Sequence, residues 1–510
     1  MSLLPLVLLA CYVESYNILV ISPAIGVSHM NFMGRIADTL TDAGHNVTYY
    51  VNVLNTDIQD KIGVKTTKNV IKVMPVHDLN EKGSEMSNKM WSTSYGVFDI
   101  YNLMNSLVDV MGGYGPVYEN FFADMNVFNQ LKEQKFDIAF GETVCAYPMA
   151  IMEALNIPAR FMVQTEVLRD VTAWTIGEKI DYTTVPSIYG VSSDKMSLLE
   201  RLDSALRAYL HSKAHSRTYD AEELFSKAAY VAYNSNRFLD FPRQILPKTL
   251  QIGGLTVDVE KWRSQGLSEE FEQILSIRPK NVLISFGSMA RSSEMPKEYR
   301  FNLLKVIKSF PEVTFLWKYE TDNLTWASGV ENVKFFKWIP QTAVLASPKL
   351  SAFLTHGGLG SIHEVAYLGV PSITVPLTFD QPRNARMLER HGGSIFFEKD
   401  NLGDFGALRA VMEKILMDES YSANAAKLVA TLKYSPVDPK DTLLRYVNFA
   451  GKTGNLETLD PYSKQLSIFT TLYLDVILIV TAVVLLLSYP VIILLKCASQ
   501  SLFTPKKKCE

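Results

Sequence analysis

One pattern constrains this chain more than any other: short β-rich apolar runs alternate with amphipathic helical stretches, and the alternation occurs twice. Tyr16–Ser22 (YNILVIS) reads as a buried strand. Asn31–Ala43 reads as a helix with Met33, Ile36, Ala37 and Leu40 on one face, stopped by Gly44, and Val47–Val53 is the next strand. A strand, a crossover helix and a second strand of these lengths make a parallel pair. Phe136–Phe140 and the helix Met149–Leu155, stopped at Asn156-Ile-Pro158, continue the series. A second series runs through Asn281–Phe286, Val313–Tyr319, Val333–Phe336, Ser351–Thr355 and Ser372–Val375. The polar stretch from Leu255 to about Lys280 reads as the linker between them. The fold class is therefore α/β: two facing, doubly wound, Rossmann-like domains at 16–255 and 256–435, followed by a segment at 436–473 returning toward the first domain and the membrane. Parallel sheets bind ligands beyond the carboxyl ends of their strands, so a cleft between the domains is expected.

The two ends carry addresses. Leu3–Cys11 is a short apolar run that fits the core of a signal peptide at 1–15, with Val13 and Ser15 suiting a cleavage site, although no basic residue precedes the run. The segment 474–495 contains Val476–Leu495, uncharged throughout and long enough at ~1.5 Å per residue to cross a ~30 Å hydrocarbon core. Asp460 and Asp475 precede it, and Lys496 and Lys506–Lys508 follow, so the positive-inside rule puts the tail 496–510 in the cytosol and the domains in the lumen. Lys507 and Lys508, fourth and third from the end, have the spacing of a dilysine retrieval signal for the endoplasmic reticulum. The expectation is a single-pass type I protein of that membrane.

Composition removes other classes. With 50 Lys+Arg against 53 Asp+Glu the net charge is −3, which leaves no basic field for nucleic acid. Only Cys145 of the four cysteines would remain in the lumen, so no internal disulfide forms there. Asn46-Val-Thr48 and Asn323-Leu-Thr325 are glycosylation sequons, the first in a strand pattern and expected to be buried, the second in a polar loop.

The most informative stretch is Phe336–Asn384. After the strand Ser351–Thr355, His356-Gly-Gly-Leu-Gly-Ser361 opens a helix. Glycines admit a ligand close to the backbone, and a helix N-terminus offers unpaired N–H groups and a positive dipole end, together a phosphate seat. Ser361 and His356 can add donors, and Glu364, one turn on, can accept from a ribose diol. A dinucleotide fingerprint lacks its third glycine at His363, and Gly451-Lys-Thr453 is no Walker loop because Tyr446 stands where its first glycine is needed. His356, His363 and Glu364 lack zinc-binding spacing, and no Asp-x-Asp occurs, so neither metal nor another cofactor is expected.

These residues resemble the signature of the UDP-glycosyltransferases, in particular the animal membrane-bound UDP-glucuronosyltransferase type: Trp338-x-x-Gln341, His356-Gly-Gly358, Glu364 and Asp380-Gln381, all in register. Leu239-Asp-Phe-Pro-Arg243, Gln251-Ile-Gly-Gly-Leu255, Ser285-Phe-Gly-Ser288 and Val185-Pro-Ser-Ile-Tyr189 carry the likeness through most of the chain. The resemblance implies a GT-B fold and inverting, metal-independent transfer of a sugar, glucuronate first and glucose as the alternative, from a UDP-sugar to the hydroxyl of a small lipophilic acceptor. It also implies self-association. Trp338 would stack on the uracil, Gln341 touch base and ribose, His356, Gly358 and Ser288 hold the diphosphate, Glu364 bind the ribose, and Asp380 and Gln381 bind the sugar. Vertebrate relatives usually have Asn-Gly where this chain has Gly360-Ser361, so an amide contact is replaced by a hydroxyl one position later.

Inverting transfer needs a base, and histidine, titrating near ~6.5, suits it. His29 follows the first strand and precedes its helix, the place of the family's catalytic histidine. Glu142, after the strand Phe136–Phe140, stands where the family has the aspartate that orients that base, and Asp137 is the local competitor. Tyr95–Tyr118 and Trp174–Tyr189 are rich in aromatic and aliphatic residues and suit an apolar acceptor pocket. A membrane-tethered binding protein with a dead site is the competing class.

Overall fold

The computed structural model describes residues 14–53, 56–74, 87–112, 121, 124–144, 146–215, 221–471 and 473–503. The leader run Leu3–Cys11, Cys145 and the terminal lysines Lys506–Lys508 lie outside these residues. The chain divides into two units, Met1–Leu459 and Asp460–Glu510.

The first unit holds two parallel sheets. Strands β1 Asn17–Ala24, β2 Asn46–Val53, β3 Asn69–Val73, β4 Ile138–Glu142, β5 Ala159–Gln164, β6 Tyr230–Tyr233 and β7 Thr249–Gln251 lie in the order 3-2-1-4-5-6-7. Strands β8 Lys280–Ser285, β9 Val313–Lys318, β10 Val333–Phe336, β11 Ala352–Thr355, β12 Ser372–Thr374 and β13 Ser394–Phe396 lie in the order 10-9-8-11-12-13. Seven of the eight residues of β1 are buried, as a strand covered on both faces requires. Each sheet reverses its winding once, between β1 and β4 in the first and between β8 and β11 in the second. At such a switch point the loops leave in opposite directions and open a crevice beyond the carboxyl ends.

Helix α1 spans Val27–Asp42, starting four residues before the sequence pattern suggested. Gly26 in extended conformation lets the chain turn into the helix directly after β1, so His29 lies within the first turn instead of ahead of it. The buried side of α1 is Met30, Met33, Ile36, Ala37 and Leu40. Its opposite contact is unusually close: a methyl on Gly34 would lie 2.4 Å from the carbonyl carbon and oxygen of Gly63. Two glycines thus let α1 rest on the loop before β3.

The polar stretch after Leu255 is not a free linker. It contains the helices Val259–Gln265 and Glu269–Leu275, and Phe271 and Leu275 are buried with Leu283, Leu316 and Phe353 of the second sheet. The helix at Pro439–Thr453 returns to the first sheet, where Leu443, Val447 and Ala450 share a core with Ile18, Val20 and Phe140. In the second unit, a helix at Leu474–Phe503 contains Leu474–Cys497, one stretch long and apolar enough to cross a membrane, with none of its most apolar window buried.

Replacing Gly34 by Ala should cost ~1–3 kcal/mol, because the new methyl meets backbone that cannot swing aside. Gly406→Ala, whose methyl meets only Asp404 Oδ1 at 3.4 Å, should stay within ~0.5 kcal/mol. Thermal unfolding of the two variants beside the parent checks this; equal shifts would contradict the close packing of α1.

Candidate active site

The first sheet brings three side chains together at its switch point. His29 leaves α1 beside β1, Glu142 is the last residue of β4, and Thr165 follows β5. His29 Nδ1 lies 3.3 Å from Glu142 Oε1 and 2.8 Å from Thr165 Oγ1, and the Thr165 hydroxyl donates to Glu142 Oε1 at 3.3 Å. Both partners of Nδ1 can accept, one a carboxylate and the other a hydroxyl already donating elsewhere. Nδ1 therefore carries the proton and Nε2 the free lone pair. Burial alone would lower the imidazole's pKa, but the charge and hydrogen bond of Glu142 and the charge of Glu166 outweigh burial and the opposing Arg169 charge. His29 consequently titrates above its ordinary value.

Glu142 is fully buried. Asp137, its competitor, sits at the other end of the strand, where its Oδ2 accepts from Asn17 N at 2.8 Å and closes the start of β1. The loop after β5 adds residues that sequence reasoning missed. Arg169, 3% exposed, binds Glu166 Oε2 through Nε at 2.9 Å and donates from Nη1 to Thr143 O at 2.9 Å. The signal that could have found Thr165, Glu166 and Arg169 was position alone, since they follow a strand next to the switch point.

The second sheet supplies the other wall from its own carboxyl ends. Helix α2 (Leu359–Leu368) has Gly358 as its N-cap, so the N–H groups of Leu359, Gly360 and Ser361 form its open first turn. His356 is packed between two glycines: a methyl on Gly287 would come 2.5 Å from its Cε1, and one on Gly358 2.5 Å from its Nε2. No other residue fits there. Burial, helped by the Lys318 charge, pushes His356 down to about 4, so it is neutral. Ser288 lies exposed beyond β8. Gln341 Nε2 donates to Ser361 Oγ at 3.0 Å and to Glu364 Oε2 at 2.5 Å, which ties three of the expected ligand residues into one group. Burial drives Glu364 up to about 7 against that hydrogen bond. Trp338 is 66% exposed, with Lys61 Nζ of the first domain 5.6 Å from its ring centroid. His363, by contrast, is buried on the core side of α2 and joins no site. Among the described residues no three His, Cys, Asp or Glu side chains converge as metal ligands.

Asp380 and Gln381 open helix α3 (Gln381–Glu389) after β12. Phe379, just before them, takes φ +57, a left-handed conformation costly for an aromatic residue and of the kind found where a site fixes its backbone. Gln381 Oε1 accepts from Leu377 N at 2.8 Å and Thr378 N at 3.2 Å, leaving its amide to donate. Burial raises Asp380 to about 6, assisted by the Glu166 charge and opposed by the Asn384 hydrogen bond and the His29 charge. The two walls are thus near enough for Glu166 and His29 of one domain to act on Asp380 of the other.

Helix α3 also fastens the domains. Arg383 Nη2 pairs with Asp240 Oδ1 at 2.8 Å, the two side chains being 2% and 1% exposed. Further along, Arg386 Nε donates to Val191 O at 3.0 Å, Arg390 Nη2 meets Asp194 Oδ2 at 3.2 Å, and His391 Nε2 lies 2.8 Å from Leu239 O. The motif Leu239-Asp-Phe-Pro-Arg243 is therefore a socket for the helix that carries the expected sugar-binding pair.

The apolar stretch beginning at Tyr95 contributes Val97, Ile100, Tyr101 and Met104 to a narrow crevice of about 10 Å³, room for about one water molecule, closed by Tyr189, Arg207, Leu210 and His211. The Trp174 side chain stays at the surface, 38% exposed. Asn323 is exposed, with Thr325 Oγ1 donating to its Oδ1 at 2.9 Å. Asn46, expected to be buried, is exposed at the first position of β2, where it is in register with Asn17 of β1 and donates from Nδ2 to Asn17 Oδ1 at 2.9 Å; Thr48 of the same sequon is buried and bonded to Gln134 and Asn69.

The family profile described as "UDP-glucoronosyl and UDP-glucosyl transferase" matches residues 17–509. A Caenorhabditis briggsae protein provisionally named UDP-glucuronosyltransferase ugt-47 is 30% identical over 93% of this chain and 91% of its own. UDP-glucuronosyltransferase 3A1 of Xenopus laevis is 26% identical over 95% of this chain and 94% of its own. Among solved structures, Medicago truncatula UGT71G1 complexed with UDP-glucose superposes with a TM-score of 0.57 at 15% identity, covering 86% of this chain and 98% of that one, a likeness of fold alone.

Arg383→Met should destabilise the protein by ~3–5 kcal/mol, since it strands the buried Asp240 charge, and adding Asp240→Asn should restore more than half of the loss. Thermal unfolding of both variants checks this; a double variant as unstable as the single one would contradict the ion pair's part in holding α3.

Proposed function

Because the chain belongs to the UDP-glycosyltransferase family and shares its GT-B fold, we propose that it moves a sugar from a UDP-sugar to the hydroxyl of a small lipophilic acceptor, with inversion, from one face of the endoplasmic reticulum membrane. The carrying observation is the His29–Glu142–Thr165 cluster at one switch point, near the donor wall at the other. His29 Nε2 takes the acceptor proton as that oxygen bonds to the anomeric carbon and the bond to the UDP oxygen breaks. Glu142 and Thr165 hold Nδ1–H and favour the imidazolium that forms. The leaving diphosphate gains charge against the open first turn of α2, with Ser288, Ser361 and neutral His356 donating hydrogen bonds. A helix dipole and main-chain donors do here what a divalent cation does in other transferases, so no metal takes part. Trp338 covers the uracil and Gln341 and Glu364 the ribose, while Asp380 and the Gln381 amide hold sugar hydroxyls. The span at Leu474–Cys497 crosses the bilayer once, with the domains in the lumen and sugar attached at exposed Asn323.

The identity of the sugar turns on charge. The resemblance puts glucuronate first. Among the described residues around His29, however, the charges of Glu142 and Glu166 are accompanied by the Arg169 guanidinium, already paired with Glu166, and Glu166 also acts on Asp380. A further carboxylate ~6 Å from one unpaired like charge costs about 2–3 kcal/mol at an effective dielectric of ~20. This arrangement favours an uncharged hexose, as in UDP-glucose, over glucuronate.

His29→Ala should lower kcat by ~10²–10⁴-fold and leave UDP-sugar affinity within about threefold; normal turnover would remove His29 from the base position. In the parent enzyme, kcat/KM should fall toward acid with a midpoint above ~6.5, because protonation removes the base and Glu142 raises that pKa. Glu142→Gln should move the midpoint down, and an unmoved midpoint would break the dyad. With one phenolic acceptor, UDP-glucose should exceed UDP-glucuronate in kcat/KM by at least ~10-fold; the reverse order would restore glucuronate.

A further inference from the structure

Residues 87–95 belong by sequence to the half that carries His29, between β3 and the helix Val97–Gly112, yet they pack on the other half. Residues 87–92 are helical. Met90 and Trp91, 1% and 3% exposed, share a core with Phe286, Ala290, Val375 and Leu377. Trp91 stands edge-on to Phe286, ring centroids 5.0 Å apart. Its Nε1 donates to Arg291 O at 3.0 Å, and Arg291 N donates to Ser87 Oγ at 3.0 Å. One helical turn thus holds both main-chain groups of Arg291, in the loop that follows β8 and contains Ser288.

The same segment reaches the loop after β12. Tyr95 donates its hydroxyl to Pro376 O, and Arg207 Nη2 fixes Tyr95 by donating to its carbonyl oxygen at 2.7 Å. Lys399, 1% exposed, joins segment and loop: its Nζ donates to Met90 O at 3.1 Å, to Thr93 O, and to Leu377 O at 3.0 Å. An ammonium has three N–H donors, and here each finds a carbonyl. Leu377 is held from its other side as well, its N–H donating to Gln381 Oε1. An unbroken run of hydrogen bonds therefore leads from the segment through Lys399 and Leu377 to the side chain of Gln381. The two held carbonyls lie just ahead of Phe379, at φ +57, and of Asp380. A backbone in that region keeps its shape only where its surroundings fix it.

We propose that residues 87–95 are a clamp by which the half bearing His29 sets the donor seat in the other half, with Lys399, Tyr95 and Trp91 as its positioning residues. The proposal rests on the donor-site reading of Ser288, Asp380 and Gln381 given above. The clamp's hydrogen bonds end on the loops assigned to the diphosphate and the sugar, not on Trp338, Gln341 or Glu364 at the uridine end. Its residues act through main chain, so they set where the binding groups stand and leave their chemistry unchanged. Misplacing such groups by ~1 Å costs up to ~10²-fold. Sugar recognition is thus a property of both halves together, whereas uridine recognition belongs to the rear half.

The test is calorimetric titration of the full chain with UDP and with UDP-glucose. Tyr95→Phe removes only the hydroxyl bound to Pro376, and Lys399→Met keeps an apolar stem while removing all three donors. Each should weaken UDP-glucose by ~5–30-fold and UDP by less than ~3-fold. Should Lys399→Met fail to fold, Tyr95→Phe decides alone. Trp91→Phe keeps a ring and removes the donor to Arg291; it should weaken both nucleotides alike, by ~3–10-fold, because they share the diphosphate. Unchanged affinities there would strike Trp91 from the clamp. Asn332→Ala is the structural control: Asn332 Nδ2 also serves three carbonyls, Ile307 O, Phe310 O and Val313 O at 2.8, 2.9 and 3.2 Å, but at the amino ends of β9 and β10. It should lower the melting temperature and leave both affinities within ~2-fold. Equal weakening of UDP and UDP-glucose in Tyr95→Phe, or no weakening of either, would overturn the proposal and leave the donor-site reading standing. A parent chain that binds neither nucleotide would sink that reading and the clamp with it.

Discussion

The arrangement of this molecule depends on the contact that makes two sheet edges face one another, and at its centre is the buried pair Arg383–Asp240. A charge pair out of water gains little net stability over an apolar contact, but it is intolerant of separation, because either charge left alone is expensive. That intolerance is useful here. Arg383 is the third residue of a helix whose first residue, Gln381, and cap, Asp380, face the cleft. Fixing the helix side on the socket at Leu239–Arg243 therefore fixes its tip opposite His29. Arg386, Arg390 and His391 extend the fastening along successive turns, so the helix cannot pivot about one point.

Given that arrangement, the chemistry follows from where charge is placed and withheld. The front wall concentrates carboxylates around one imidazole, which raises its basicity and orients its free lone pair. The rear wall holds its histidine neutral and offers main-chain donors in an open helix turn, the form of positive potential suited to a departing diphosphate. Burial holds Asp380 at about 6 and Glu364 at about 7; in the proposed transfer a sugar or ribose hydroxyl would draw them back into the ionised form by hydrogen bonding.

Much of this was legible in the sequence. Period and β-branched runs revealed both sheets, because parallel strands buried on two faces leave a plain signal. Most of the expected donor residues could be read together because they lie within one 44-residue stretch, Trp338–Gln381, whereas Ser288 stands apart after β8. The pairing of His29 with Glu142 was reachable only through resemblance, since 113 positions separate them. Thr165 had only its position to mark it: a lone threonine after a strand looks like any other, and its contact with His29 and Glu142 comes from the neighbouring order of β4 and β5. The helices inside the linker were not legible because short helices with one buried face, such as Glu269–Leu275, are mostly polar in composition.

The most direct measurement is the protonation state of one ring. Nitrogen NMR of the full chain labelled at histidine, assigned by comparison with a His29→Gln variant, reports both tautomer and titration. A proton on Nδ1 and a midpoint above ~6.5 would match a base held by Glu142 and Thr165. A proton on Nε2, or a midpoint below that value, would mean that the ring turns its lone pair into the protein and has no base to offer the cleft.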